Sequence, residues 1–413
     1  MDASPALSTA AAPEVVLDLS RLLARVLHAT PTGVDRVEMA YALELIARMP
    51  DRLSFAALHP SGIYGRLPGP QVRQFLSSTI ARWRNGGRID PIALRRMAVA
   101  HVLALRPRPV PPPAGPRVYV QASPHHLDRQ DRVATILARE KAAFVCLVHD
   151  LIPIAHPEYA REDGAEKHFL RVHTVARHAD GIVSNSAATE RALMPYVRAI
   201  GRSPVCRIAH LGTEPPDAGG GEGEGAALEE PYFVCVATIE PRKNHLLLLN
   251  IWRRLAERQQ TGIPKLVLIG RRGWENEQIV DMLDRCQALQ GHVLEFGGMP
   301  DRQMRRVLAG ARALLLPSFA EGFGMPVTEA LAAGVPVIAS DLPALREAGG
   351  AAADYIDPLD GLGWMEAILA YAEPDHPRRA AQLARIADWQ APTWCQHMDV
   401  VEELIGAVAG RRG

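Results

Sequence analysis

Short apolar runs alternate along this chain with longer stretches in which apolar positions recur at helical spacing. In the first half, residues 15–19, 118–121, 143–149, 181–184 and 205–209 read as strands. In the second half, residues 232–237, 265–269, 293–296, 313–317 and 335–339 do the same. These runs are apolar on both faces, as strands of a sheet covered by helices on both sides must be. Helices are predicted between them, over residues 34–48, 187–197, 245–259 and 301–311. Strand–helix alternation of this kind predicts parallel βαβ units and an α/β fold with doubly wound sheets. Ligands of such sheets bind outside the carboxyl ends of the strands, so the chemistry is sought in the residues that follow each strand.

A chain of 413 residues exceeds what one hydrophobic core usually serves. Residues 212–231 (GTEPPDAGGGEGEGAALEEP) carry no hydrophobic period and predict an exposed linker. The expected organisation is a domain over 1–211, the linker 212–231, a second domain over 232–372, and a C-terminal helical segment, 373–413. The proline-rich stretch 106–116 predicts an extended connector inside the first domain. Two Rossmann-like domains are thus expected to face each other across a cleft.

Composition changes this picture in three ways. At 48% hydrophobic and 22% charged, the chain is of ordinary globular type. Its net charge of zero hides an asymmetry: residues 1–210 hold 27 Lys and Arg against 18 Asp and Glu, and the rest holds 19 against 28. Residues 66–117 alone carry ten arginines against one acid, Asp90. Such a stretch either forms a solvated basic surface or invites an anionic partner, such as a membrane surface. Nucleic acid is not expected, because no aromatic residues interleave with the arginines. Finally, the five cysteines are far apart and form no C-x-x-C pair, so neither disulfides nor a metal site is expected. With no signal-peptide pattern at the start and no membrane-spanning run, the expected location is the cytoplasm, with at most a peripheral place at the inner face of the membrane.

The densest chemistry lies in residues 313–340, ALLLPSFAEGFGMPVTEALAAGVPVIAS. A strand ends in a loop that carries Glu321, Gly322 and Gly324. Pro326 then suits the first turn of a helix, which Gly334 stops. Glu329 falls about one turn inside that helix, so the two glutamates are not a pair on one face. The glycines permit close approach of the backbone, and the helix start offers free N–H groups to an anion such as a diphosphate. Glu329 is placed to accept hydrogen bonds from ribose hydroxyls, and Glu321 from sugar hydroxyls. The competing reading is a glycine-rich turn with two solvated glutamates.

Glu321-Gly-Phe-Gly-Met-Pro-Val-Thr-Glu329 resembles the E-x7-E element of the retaining glycosyltransferases of family 4, and the surrounding PS-x-x-E-G-F-G-x-P-x-x-E-A-x-A-x-G-x-P-V-I-A-S pattern matches nearly without a gap. The resemblance implies the GT-B fold, with the C-terminal helix packing back on the first domain. It implies that Glu321 contacts the donor sugar, that Glu329 binds the ribose, and that the backbone of Phe323, Gly324 and Met325 holds sugar and phosphate oxygens.

Other motifs fit that frame. The turn ATIEPRKN (237–244) offers two cations at a strand–helix junction. The resemblance assigns the diphosphate to Lys243. A second cation that the family often supplies about six residues earlier is replaced here by Ala237 and Thr238, so its part falls to Arg242 or to a residue elsewhere. In PTGVDRV (31–37), Gly33 opens a helix where the family sets a glycine-containing loop against the donor, with Thr32 a weaker candidate for the acceptor. That stretch resembles the start of a bacterial surface-polysaccharide subgroup. LVHDLIP (147–153) follows a strand; the resemblance gives His149 a place near the donor sugar and Asp150 a weaker one toward the acceptor. Gly270 and Arg271 end another strand and would face the donor, whereas Trp274 is expected to pack in the core or at an edge rather than on a base. The chain has no Asp-x-Asp, the usual metal–diphosphate element of the other major transferase fold.

The function so implied is transfer of a hexose, mannose favoured, from a nucleotide-sugar to a glycan or polyprenyl-diphosphate-linked acceptor. No cofactor and no metal are expected, and GDP-mannose is favoured as donor over a UDP-sugar. A nucleotide-sugar epimerase of related fold and a non-catalytic nucleotide-sugar-binding subunit are the alternatives.

Overall fold

The structure is a computed structural model, and it describes residues 12–28, 30–85, 90–214, 231–258 and 262–411. Most of the linker expected over 212–231 lies outside the described residues.

The first sheet has seven strands: β1 (Glu14–Asp18), β2 (Leu53–Leu58), β3 (Tyr64–Leu67), β4 (Arg117–Gln121), β5 (Ala143–Val148), β6 (Gly181–Ser184) and β7 (Val205–Ile208), in spatial order β3-β2-β1-β4-β5-β6-β7. All pairings are parallel except β2 with β3. The second sheet has six strands, β8 (Tyr232–Val236), β9 (Lys265–Ile269), β10 (Val293–Phe296), β11 (Leu314–Leu316), β12 (Val337–Ser340) and β13 (Asp354–Ile356), in order β10-β9-β8-β11-β12-β13 and wholly parallel. In both sheets the order reverses next to the first strand, between β1 and β4 and between β8 and β11. That is where open parallel sheets form their ligand crevice.

Both faces of each sheet are buried, which explains the unbroken apolar runs. Along β1, Val15 and Leu17 enter one core while Val16 enters another; along β8, Val234 and Phe233 divide in the same way. The predicted strands are all present, displaced at most by a residue or two at their ends. β2, β3 and β13 are additional. β3 (YGRL) escapes a hydrophobic reading because its Arg66 is buried in an ion-pair network.

The C-terminal helix Trp394–Gly410 returns to the first sheet. A capping box between Thr393 and Gln396 fixes its start. Leu404 and Val408 lie over Gly181, where a Cβ would sit 3.0–3.1 Å from them. His397 donates from Nδ1 to the His210 carbonyl at 3.0 Å and accepts from the Tyr41 hydroxyl at 2.8 Å, stapling the helix to the first domain. Among the described residues, no helix is long and apolar enough to cross a membrane.

The Arg-rich stretch requires correction. It is not one basic surface but a divided segment, comprising β3, the helices Gly69–Asn85 and Pro91–Ala104, and the extended 106–116 connector, whose Arg108 bridges to Arg66. Arg66, Arg82 and Arg117 are buried. Arg66 and Arg117 both meet Glu140, at 2.6 and 3.2 Å, and both meet Glu14, at 2.8 and 2.6 Å. Tyr64 adds its hydroxyl to Glu140 at 2.7 Å. These partners come from outside the segment, so a charge count within it overstates the free positive charge.

Candidate active site

Two loops at the reversal point of the second sheet carry most of the candidate residues. After β8, residues 241–243 form a tight 3-10 turn, and Asn244 takes a left-handed conformation (φ +54°) before the helix His245–Arg258. After β11, the chain reaches Gly324, whose φ of +103° only glycine adopts without strain, and the helix Met325–Ala332 begins with Pro326 in its first turn. A Cβ on Gly324 would also stand 2.5 Å from Leu345.

These loops bring Glu321 and Lys243 together. Glu321 Oε1 accepts from Lys243 Nζ at 2.5 Å and from Ser318 Oγ at 2.7 Å; Oε2 accepts from Arg242 Nη1 at 3.1 Å. Burial on its own would raise the Glu321 carboxyl, but Lys243 and Arg242 outweigh it and hold the group down at about 2. Glu321 is therefore an anion at neutral pH. It accepts hydrogen bonds and stabilises positive charge, and it has no proton to give as a general acid. Arg242 also binds Glu240 at 2.8 Å and the Ala320 carbonyl at 2.6 Å. Among the described residues Lys243 has one carboxylate partner, Glu321, whereas Arg242 has two, Glu240 and Glu321.

Next to this ion pair, the backbone N–H groups of Phe323, Gly324 and Met325 find no acceptor among the described residues. They mark the start of a helix, where free N–H groups favour an anion. The Phe323 side chain is buried, its ring 5.4 Å from that of His210, so only its backbone is offered to a ligand.

The first domain closes over this element. A Cβ on Gly322 would lie 2.3 Å from the His149 carbonyl, so glycine is what lets the two backbones touch. His149 donates from Nε2 to the Ala122 carbonyl at 2.7 Å, which leaves Nδ1 as an acceptor in the neutral ring. Burial lowers the pKa of this imidazole and favours that neutral form. Asp150 spends one carboxyl oxygen on the Ile152 amide at 3.0 Å.

A cleft of about 230 Å³ lies alongside, between the domains. Gly33 and Arg36 line it from the first domain; Gly270, Arg271, Met325 and Glu329 line it from the second. Gly270 sits so close to β8 that a Cβ would be 1.8 Å from the Ala237 carbonyl. Burial raises the Glu329 carboxyl, against the pull of Arg36 and Arg305. Thr32 is occupied locally: its hydroxyl takes part in a capping box with Asp35 and accepts from Arg21 at 3.0 Å. Glu321, Lys243 and His149 are not among the residues that line this cleft.

Sequence reasoning missed the contacts that hold the domains together. Arg36 meets Asp301 in a two-pronged ion pair at 2.5 and 2.7 Å. Glu347 of the second domain accepts from the amides of Ala187 and Ala188, at 2.6 and 2.9 Å, at the start of a first-domain helix. Trp274 reaches the Tyr159 carbonyl at 3.2 Å with Arg161 over its ring at 4.9 Å, and Tyr159 stacks on Phe319 at 5.6 Å. The packing role expected for Trp274 is thus a place at the domain interface.

The two doubly wound domains have the GT-B architecture, and similarity to group 1 glycosyl transferases and to named mannosyltransferases marks the chain as a glycosyltransferase. The family model described as "Glycosyl transferases group 1" matches residues 222–353, which contain both loops. The chain is 26% identical to an O-antigen chain mannosyltransferase B of Escherichia coli over 88% of its length and 93% of that protein's. It is 28% identical over 260 residues to the serotype-specific mannosyltransferase WbdA of E. coli, and spans about a third (32%) of that longer protein. Among solved structures, Anabaena HepE in complex with UDP superposes with a TM-score of 0.58 at 16% identity, covering 95% of this chain and 99% of that one. A sucrose-phosphate synthase from Thermosynechococcus elongatus gives 0.59 at 17%, over 96% and 100%.

Proposed function

We propose that this glycosyltransferase moves a mannosyl residue from a nucleoside diphosphate-mannose, GDP-mannose first, to a glycan acceptor carried on a lipid diphosphate, in the building of a bacterial surface polysaccharide. The likeness to O-antigen mannosyltransferases supports the sugar and the acceptor class. The observation that carries the reaction is the Lys243–Glu321 pair beside the unpartnered amides of 323–325.

In this reading the nucleoside lies in the 230 Å³ cleft, with its ribose on Glu329 and its base against Gly270 and Arg271. The diphosphate takes the amides of 323–325 and draws Lys243 partly away from Glu321. The bond between the anomeric carbon and the β-phosphate oxygen breaks, its electrons pass to the diphosphate, and Lys243 offsets the charge. This charge neutralisation by fixed protein groups is the basis for proposing a metal-independent reaction. Glu321, held ionised, accepts from sugar hydroxyls and faces the positive charge that grows on the sugar. Neutral His149 offers Nδ1 to a further hydroxyl. The acceptor oxygen attacks the same face, its proton leaves with the departing phosphate, and the anomeric configuration is retained.

The test is a thermal-shift screen of GDP-, UDP-, ADP- and TDP-sugars, followed by transfer to a synthetic lipid-diphosphate glycan with the product anomer read by NMR. A donor that stabilises the fold and yields an α-product from an α-donor supports the proposal. Inversion, or release of an isomerised sugar without any acceptor, would overturn it.

A further inference from the structure

The divided Arg-rich segment leaves one feature that neither the core nor the donor site uses. Helix Pro91–Ala104 is fixed by one side only. Ala98 and Leu105 are buried; His101 Nε2 pairs with Ser78 Oγ at 2.9 Å, and the Val102 carbonyl accepts from His59 Nε2 at 2.9 Å. These four anchors, spaced three and four apart, define the inward face. The outward face is not polar, as a solvated helix face should be. Ile92, Val99 and Leu103 are 60%, 58% and 52% exposed, and at 3.6 residues per turn they fall within about 40° of one another. Arg95 and Arg96, both exposed, fall on opposite flanks of that stripe, and exposed Arg106 continues it. No acid occurs from residue 91 to 117.

We propose that this helix face docks on an anionic lipid bilayer, with Ile92, Val99 and Leu103 entering the boundary between headgroups and acyl chains and Arg95, Arg96 and Arg106 meeting lipid phosphates. The occupant follows from charge complementarity. An aliphatic stripe edged by arginines and free of acids matches an apolar layer beneath a negative surface. A second copy of the same face would set arginine against arginine. The location agrees: His59 follows β2, so the helix sits toward the carboxyl end of the first sheet, the end from which the His149 loop reaches the site. The proposal deepens the reading of a lipid-carried acceptor and replaces a contact spread over ten arginines with one helix face.

The experiment is vesicle co-sedimentation of the full chain. Phosphatidylglycerol vesicles are compared with phosphatidylcholine vesicles, using wild type, the triple variant I92S/V99S/L103S and the double variant R95E/R96E. All five positions are exposed, so the thermal midpoint should hold and serves as the folding control. Wild type is expected to bind the anionic vesicles, less tightly at high salt, and each variant to bind them roughly tenfold more weakly. Equal binding to both vesicle types, or unchanged binding by both variants, overturns the proposal. So does a wild-type dimer in vesicle-free sizing that the triple variant turns into a monomer, which would assign the face to a second copy. Donor-induced thermal shift, read on the same samples, separates failure here from failure of the transferase reading: a variant that loses vesicle binding and keeps the donor shift leaves the latter intact.

Discussion

The two sheets reverse their strand order at equivalent points, yet each treats the carboxylate buried there in an opposite way. At the second sheet, Glu321 is surrounded by Lys243 and Arg242 and held ionised at about 2. At the first, Glu38 is buried close to Asp18, itself buried and raised, and is pushed up to about 8, with Arg21 only partly opposing the shift. Glu38 accepts from the Leu22 amide at 3.1 Å, and that bond and Ser123 hold the shift back only in part. The difference teaches that burial beside another acid pushes a carboxylate toward its neutral form, and that two cations within contact distance reverse the outcome. A transferase needs the second arrangement where positive charge grows on a sugar. The first is compatible only with a structural role or with acceptor handling.

Four substitutions sharpen or break this contrast, beginning with the largest effect. Glu321→Gln keeps the shape and removes the charge that Lys243 and Arg242 hold in place. Transfer should fall about 10²–10³-fold in kcat, while donor affinity, followed by thermal shift, changes far less. Full activity in this variant would end the role assigned to Glu321. Glu140→Ala tests a carboxylate paired like Glu321 but remote from chemistry. It strands Arg66 and Arg117 in the interior of the first domain, and should cost about 3–5 kcal/mol in denaturant unfolding without weakening the donor shift of the folded fraction.

Gly270→Ala sets a methyl group against the Ala237 carbonyl, and β8 or β9 must shift. A loss of about 1–3 kcal/mol is expected, together with weaker donor binding, because the same residue lines the cleft. The fourth test reads pH dependence. Folded Glu38 keeps its proton to about pH 8, whereas the unfolded group loses it near 4.5. The native state therefore binds more protons between those values, and this group makes stability decline as pH rises through that window, by at most about 1.4 kcal/mol per unit. Glu321 acts in the opposite sense: its stabilisation is present above 4.5 and is lost as pH falls toward 2. Glu38→Gln should flatten the decline between pH 5 and 8 in a series of thermal midpoints. An unchanged slope would mean that Glu38 is ionised in the native protein and that the contrast with Glu321 is false.

What the sequence determined by itself was whatever depends on near neighbours in the chain. Apolar runs marked ten of the thirteen strands among the described residues, because a strand buried on both faces must be apolar throughout. The spacing from Glu321 through Gly324 and Pro326 to Glu329 set loop against helix start, because turn and cap chemistry is local. The order of strands around β1 and β8, the pairing of Lys243 with Glu321 across 78 positions, and the meeting of Gly322 with His149 were decided only by tertiary structure. The same holds for the arginines. Within 66–117 they read as one basic surface, but Arg66 and Arg117 find Glu14 and Glu140 far away in the chain, which leaves Arg95 and Arg96 to face outward beside an aliphatic stripe. Charge is a property of a sequence, but whether it is free to act depends on which distant residues the fold brings within a few ångströms of it.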